Sequence, residues 1–205
     1  MNLLNYLFHY VLLTCKEYNI DESHSINHSM NVFYYANEIF KSELPKNPYL
    51  ENQKNIIYTS AILHDMCDHK YIDERVGIDK ITLFLEDKLT KEEIDITKKI
   101  ISTMSYSKVK KNGFPDIGEY QLAYHIVREA DLLTAYDFDR CIIYQMHHKN
   151  DDYITSINKA SDLFENRMLK HIEENMFITD FSKREALRLN KVSLNRIAQI
   201  KGTLR

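Results

Sequence analysis

The chain has 205 residues, 44% of them apolar, with only four glycines, three prolines and no tryptophan, which suits one well-cored helical domain and argues against a sheet protein. Its 27 basic and 30 acidic residues leave a net charge of -3, so no global field recruits nucleic acid and any such partner needs a local patch. Three cysteines without a close pair, Cys15, Cys67 and Cys141, argue against a disulfide framework or a thiolate zinc site and for a reducing compartment.

In chain order, hydrophobic periodicity predicts helices over 2–18, 23–41, 52–67, 78–87, 90–104, 118–149, 153–175 and 180–201. Pro45, Pro48, Gly77 and the polar run 105–118 mark breaks, with Asp152 and either Thr179 or Asp180 as caps of the last two helices. The first helix sets Leu4, Leu7, Phe8, Val11 and Cys15 on one side and reads as packed on the core. It has no basic leader and is too short to span a bilayer, so the expected location is cytoplasmic, with no membrane partner.

Three helical stripes carry residues that do not belong in an apolar core. His28 leads the stripe Val32, Tyr35, Ala36 and Ile39; His64, Asp65 and Asp68 continue the stripe of Ile57 and Ala61; Asp131 continues that of Ala123, Val127 and Ala130. A single inward histidine is ordinarily a hydrogen-bonded core residue, and burying an unpaired charge costs several kcal/mol. Two imidazoles and two carboxylates directed inward from three helices make a suitable shell for one divalent metal with room for water. No thiolate accompanies them, and this donor set accepts Mn2+, Fe2+, Co2+, Ni2+ or Mg2+.

This arrangement resembles the HD-domain metal-dependent phosphohydrolases, which carry a histidine on one helix, a consecutive His-Asp on a later one and a distant aspartate on another. The matching residues are His28, His64, Asp65 and Asp131. Within that superfamily the chain looks most like the small single-domain nucleotide pyrophosphohydrolases, through Ser23-His24-Ser25-Ile26-Asn27-His28, His64 to Lys70, Ala130 to Ala135 followed by Arg140, and Phe177 to Ala186. It departs from their pattern at Ser25, Asn31 and Leu133, which touches substrate contacts and leaves the ligands intact. The resemblance implies an all-α HD-type helical bundle over 1–205, with its metal-site core at about 22–145 and C-terminal helices at about 153–201. It implies a small-molecule phosphate substrate, a nucleotide or related ester, attacked by metal-activated water.

The remaining expectations combine position with that resemblance. Asp68 and Lys70 are the catalytic candidates, Asp68 to orient or deprotonate water and Lys70 to meet a phosphate oxygen. His24, on the face of His28, together with Lys108, Arg128 and Arg140, are the substrate-binding candidates. Lys108, Lys110 and Lys111 would make the 105–118 segment a phosphate-clamping lid, against the plainer reading of lysines solvating a loop. Glu129 and Asp137 read as surface charges. A non-catalytic metal- or nucleotide-binding sensor is the alternative; a di-iron oxygenase would need two further bridging-site histidines between the His-Asp pair and Asp131, where His69 merely adjoins the motif and His125 lies only six residues before Asp131.

Overall fold

In the computed structural model residues 2–203 are described; Met1, Leu204 and Arg205, the ends of the expected domain, lie outside the described residues. Ten α-helices and no strand occur among them: α1 Leu3–Tyr18, α2 Ile26–Glu43, α3 Lys54–Leu63, α4 Glu74–Leu85, α5 Lys91–Thr103, α6 Tyr106–Asn112, α7 Gln121–Thr134, α8 Phe138–His148, α9 Tyr153–Asn166 and α10 Asp180–Thr203. Short 3-10 turns occupy Pro48–Gln53, Gly118–Tyr120 and Met168–Lys170. The all-α single-domain expectation holds. No described helix is long and apolar enough to cross a membrane.

The starts of the helices follow side-chain chemistry. Asn2, Asp73, Ser105, Asp137 and Asp152 each accept a backbone N–H in the first turn of α1, α4, α6, α8 and α9. Thr90 and Glu93 form a reciprocal capping box on α5. At α10 the hydroxyl of Thr179, rather than Asp180, takes the amide of Ser182 at 3.3 Å.

The centre is a packing of α2, α3 and α7, with α1 and α5 against α3, α9 against α8, and α10 against α7. Val32, Ala36 and Ile39 of α2 meet Ile57 and Ala61 of α3 and Ala123, Val127 and Ala130 of α7, all fully buried. Each large aliphatic side chain removed from water contributes about 1.5–3 kcal/mol, so this contact fixes the three helices relative to one another. The stripes that carry the ligand-type residues are therefore the ones that pack.

Five boundaries differ from the periodicity. The helix expected over 52–67 ends as α3 at Leu63, because the chain tightens into i→i+3 bonds from Met66 N to Leu63 O (2.9 Å) and Asp68 N to Asp65 O (3.1 Å). Gly77 is no break: α4 starts at Glu74 under the Asp73 cap, and a Cβ on Gly77 would sit 2.6 Å from Cys67 Cβ. The 105–118 segment is not a loop throughout but holds α6, stopped at Gly113 with φ 75°. The long helices expected at 118–149 and 153–175 are each divided. Asp137 caps a new helix at Arg140 N (3.2 Å), while α9 ends at Asn166 before a 3-10 turn.

Candidate metal centre

His28 stands in the first turn of α2, His64 and Asp65 directly follow the last residue of α3, and Asp131 lies in the last turn of α7. The α2–α3–α7 packing brings these helix ends together at the edge of the core. His28 Nε2 lies 3.1 Å from His64 Nε2, 3.1 Å from Asp65 Oδ2 and 3.4 Å from Asp131 Oδ1. His64 Nε2 lies 3.3 Å from Asp65 Oδ1 and 3.6 Å from Asp131 Oδ1. The two histidine side chains are 2% and 4% exposed, against 14% for Asp65 and 27% for Asp131, so the imidazoles form the floor and the carboxylates reach the opening.

Those separations suit a common cation. Metal bonds of about 2.0–2.2 Å to nitrogen and oxygen put neighbouring ligands about 2.9–3.5 Å apart. His28, His64 and Asp65 form a buried group able to hold a metal ion, and Asp131 stands beside it. His64 Nδ1 donates to the Ala61 carbonyl at 2.9 Å, which turns its Nε2 lone pair toward the cluster. His28 Nδ1 faces Thr134 Oγ1 at 3.4 Å and touches Arg140 Nη1.

The electrostatics point the same way. Burial by itself would raise Asp65 and Asp131, but the adjoining imidazoles outweigh it and hold both carboxyls well below the usual range. Burial would lower His64, and the two carboxylates overcome that and hold it well above its ordinary value. A proton held on the His64 imidazole thus offsets buried negative charge that a divalent cation would offset instead.

The cluster opens into a cavity of about 410 Å³ that also receives His24, Asp68, Lys70, Lys108 and Arg140. One wall is a hydrogen-bonded relay. Asp21 accepts from Ser23 Oγ and Tyr71 Oη, both at 2.5 Å, and His24 Nδ1 lies 2.6 Å from Ser23 Oγ and 3.1 Å from Tyr71 Oη. Burial pushes the His24 imidazole down to about 4, further helped by Lys70 and Arg140 and opposed by Asp65, so it is neutral at pH 7. Its Nε2 faces Lys70 Nζ at 3.3 Å, and Lys70 Nζ pairs with Asp68 Oδ2 at 3.0 Å. Lys108 donates to Glu74 Oε1 at 2.5 Å and to the Ser102 carbonyl at 2.8 Å. It reaches the cavity as a fixed point of α6, not as part of a free lid.

Arg128 does not reach the cavity, contrary to the sequence expectation. Three residues before Asp131 on a helix is a rotation of about 60° away from it, enough to turn the side chain into the protein. Its guanidinium lies 4.7 Å from the Phe114 ring centroid and 3.3 Å from Glu129 Oε1, with 1% exposure. Glu129, expected at the surface, is fully buried and accepts from Ile178 N (2.6 Å), Thr179 N (3.2 Å) and Thr179 Oγ1 (2.6 Å), which fastens the approach to α10 to α7. Asp137 is exposed and caps α8.

Sequence reasoning passed over Tyr106, Tyr144 and Arg167, all of which line the cavity. Arg167 sits at the end of α9, inside a run expected to be continuous helix, and nothing in its neighbours links it to the His-Asp motif. Within the lining, the carboxylates Asp65, Asp68, Glu74 and Asp131 match the cations Lys70, Lys108, Arg140 and Arg167 one for one. A divalent ion would leave two positive charges in excess, so the cavity then favours a ligand with at least two negative charges. A separate cleft of about 560 Å³ beside α6 is lined by Ser102, Thr103, Lys108 and Lys111 and contains no acid–base pair.

No protein-family model matches the chain, and no curated protein matches it. Among solved structures, a Lactobacillus plantarum protein determined as a Northeast Structural Genomics target is similar over 100% of this chain and 98% of its own length, with a TM-score of 0.64 and 19% sequence identity. At that identity the likeness is one of fold.

Proposed function

We propose that the chain is an HD-type metal-dependent phosphohydrolase acting on a nucleotide or related phosphate ester, with a nucleoside triphosphate pyrophosphohydrolase as the first specific candidate. The observation that carries this reading is the meeting of His28, His64, Asp65 and Asp131 at the base of a charged cavity, with the two Nε2 atoms 3.1 Å apart and the carboxylate oxygens 3.1–3.6 Å from them. When bound there, a divalent ion supplies Lewis-acid polarisation of a phosphoryl oxygen and a water of lowered pKa. Mn2+, Fe2+, Co2+, Ni2+ and Mg2+ all suit two imidazoles with two carboxylates.

The chain's own residues supply positioning and charge. Asp68 is the proton acceptor beside the cluster, held by its contacts to the Lys70 amide (3.0 Å) and Nζ (3.0 Å). Lys70 and Arg140 offset charge on the phosphoryl oxygens, and phosphoryl transfer depends mainly on such positioning and neutralisation. His24, neutral and fixed by Ser23 and Tyr71, presents Nε2 to the cavity without adding charge. The sensor reading is favoured by one observation: Asp68 is already engaged by Lys70 and lies 3.3 Å from His69 Nδ1, so it must be released before it accepts a proton.

The test is product analysis after incubating metal-stripped protein, with and without Mn2+, against nucleoside mono-, di- and triphosphates, alongside Asp65→Ala. Phosphate or pyrophosphate released only by the metal-supplied native chain supports the enzyme. Ligand binding without turnover across the panel supports the sensor.

A further inference from the structure

Arg140 and Arg167 are the cations of the cavity lining that have no carboxylate within 4.0 Å among the described residues; Lys70 and Lys108 pair with Asp68 and Glu74. Arg140 is applied to His28, whereas Arg167 is committed to no acceptor among the described residues. Its guanidinium carbon lies 4.3 Å from the Tyr106 ring centroid, and its buried Nε has no hydrogen-bond partner among the described residues. A guanidinium donates five N–H bonds in a planar fork, so a half-buried one without an acceptor is poorly satisfied until an oxyanion arrives.

The platform beneath it is held in place. Tyr106 Oη donates to Glu174 Oε2 at 2.7 Å, and Lys110 Nζ braces the pair through Tyr106 Oη (3.1 Å) and Glu174 Oε1 (2.7 Å). Ser105 caps the same helix, so the ring is fixed from α6 while the arginine comes from the end of α9. The ring under the guanidinium carbon supports the group without using its N–H donors, which suits them to two oxygens of one phosphate.

We propose that Arg167, stacked on Tyr106, is an oxyanion-binding residue of this cavity that takes two oxygens of a phosphate group of the ligand. The inference deepens the phosphohydrolase reading, on which its substrate class rests, but it concerns anion binding and not turnover. It gives α6 a role other than a mobile lid, namely a fixed support for a cation delivered by the C-terminal helices.

The experiment is calorimetric titration of inorganic pyrophosphate into the full chain supplied with Mg2+, comparing the native protein with Arg167→Gln, Arg167→Lys and Tyr106→Leu, with folding checked by circular dichroism. The expected result is about ten- to hundred-fold weaker binding for Arg167→Gln, partial recovery in Arg167→Lys, which keeps the charge without the fork, and an intermediate loss in Tyr106→Leu. Should Arg167→Gln not fold, Arg167→Lys and Tyr106→Leu carry the comparison. Native affinity in the folded variants, or no pyrophosphate binding by the native chain, overturns the proposal. Nucleotide turnover run in parallel separates the two readings. Weakened binding without any native turnover keeps Arg167 and removes the enzyme; native turnover with KM and pyrophosphate affinity unaltered in the variants keeps the enzyme and removes Arg167.

Discussion

His28 Nε2 and His64 Nε2 face each other at 3.1 Å across the α2–α3 contact, with carboxylate oxygens of Asp65 and Asp131 beside them. Two imidazole lone pairs cannot share that space without a proton or a cation between them. The proposed function and the expectation of one bound divalent ion follow from this juxtaposition.

Replacing Asp68 by Asn should lower kcat by about 10²–10⁴-fold, the usual range for a lost general base, with a smaller change in KM. Steady-state kinetics on whichever nucleotide the panel identifies gives the split. A variant as fast as the native chain would remove Asp68 from proton transfer.

Arg128→Met should leave KM unaltered, since Arg128 packs on Phe114 and Glu129 away from the cavity. It should nonetheless cost about 1–3 kcal/mol of stability, because it removes the cation beside the buried Glu129 carboxylate, which keeps its hydrogen bonds from Ile178 and Thr179. Urea unfolding and kinetics on the same preparation check both halves, and a raised KM at native stability would return Arg128 to the substrate site.

Gly77→Ala separates propensity from packing. In an exposed helix Ala is favoured over Gly by about 0.8–1 kcal/mol, but here the new methyl would meet Cys67 Cβ at 2.6 Å and Cys67 Cα at 2.7 Å. We expect net destabilisation of about 1–3 kcal/mol from overpacking and a weakened metal site, because Cys67 lies two residues beyond Asp65. A thermal melt above that of the native chain would contradict the close approach.

Acid should unfold the protein through histidines that the fold keeps neutral. Burial pushes His171 and His125 down to about 4, each helped by a neighbouring arginine, and among the described residues His171 has no hydrogen-bond partner on either ring nitrogen. Below the unfolded value of about 6.5 the unfolded chain binds protons that the folded chain refuses. Stability therefore falls as pH drops from 6.5 toward 4, by roughly 1.4 kcal/mol per unit for each such histidine. Urea midpoints between pH 7 and 4.5 should decline less steeply in His171→Leu. An equal slope would show that His171 is not held neutral.

The inward stripes were legible in the sequence because helical period and ligand chemistry coincide at His28, His64 and Asp131, and the structure brings all three stripes into one packing. The helix ends were not. Ala135 and Tyr136 are apolar and contain no Gly or Pro signal, so periodicity ran through them; the break comes from the Asp137 cap and from Ala135 N reaching back to Asp131 and Leu132 carbonyls. Glu129 looked like a surface charge because its partners, Ile178 and Thr179, lie about fifty positions away and meet it only in the folded chain. Arg167 was hidden for the same reason: its place in the cavity depends on α6 and α9 together.

The most direct measurement is metal content and affinity of the native chain and Asp65→Ala, by elemental analysis and Mn2+ titration, with melting temperature followed in the same samples. The account predicts one divalent ion per native chain and a melting temperature raised by metal, with both effects lost in Asp65→Ala at a modest change in metal-free stability. A folded Asp65→Ala that still binds one ion with native affinity would contradict the assignment of this centre.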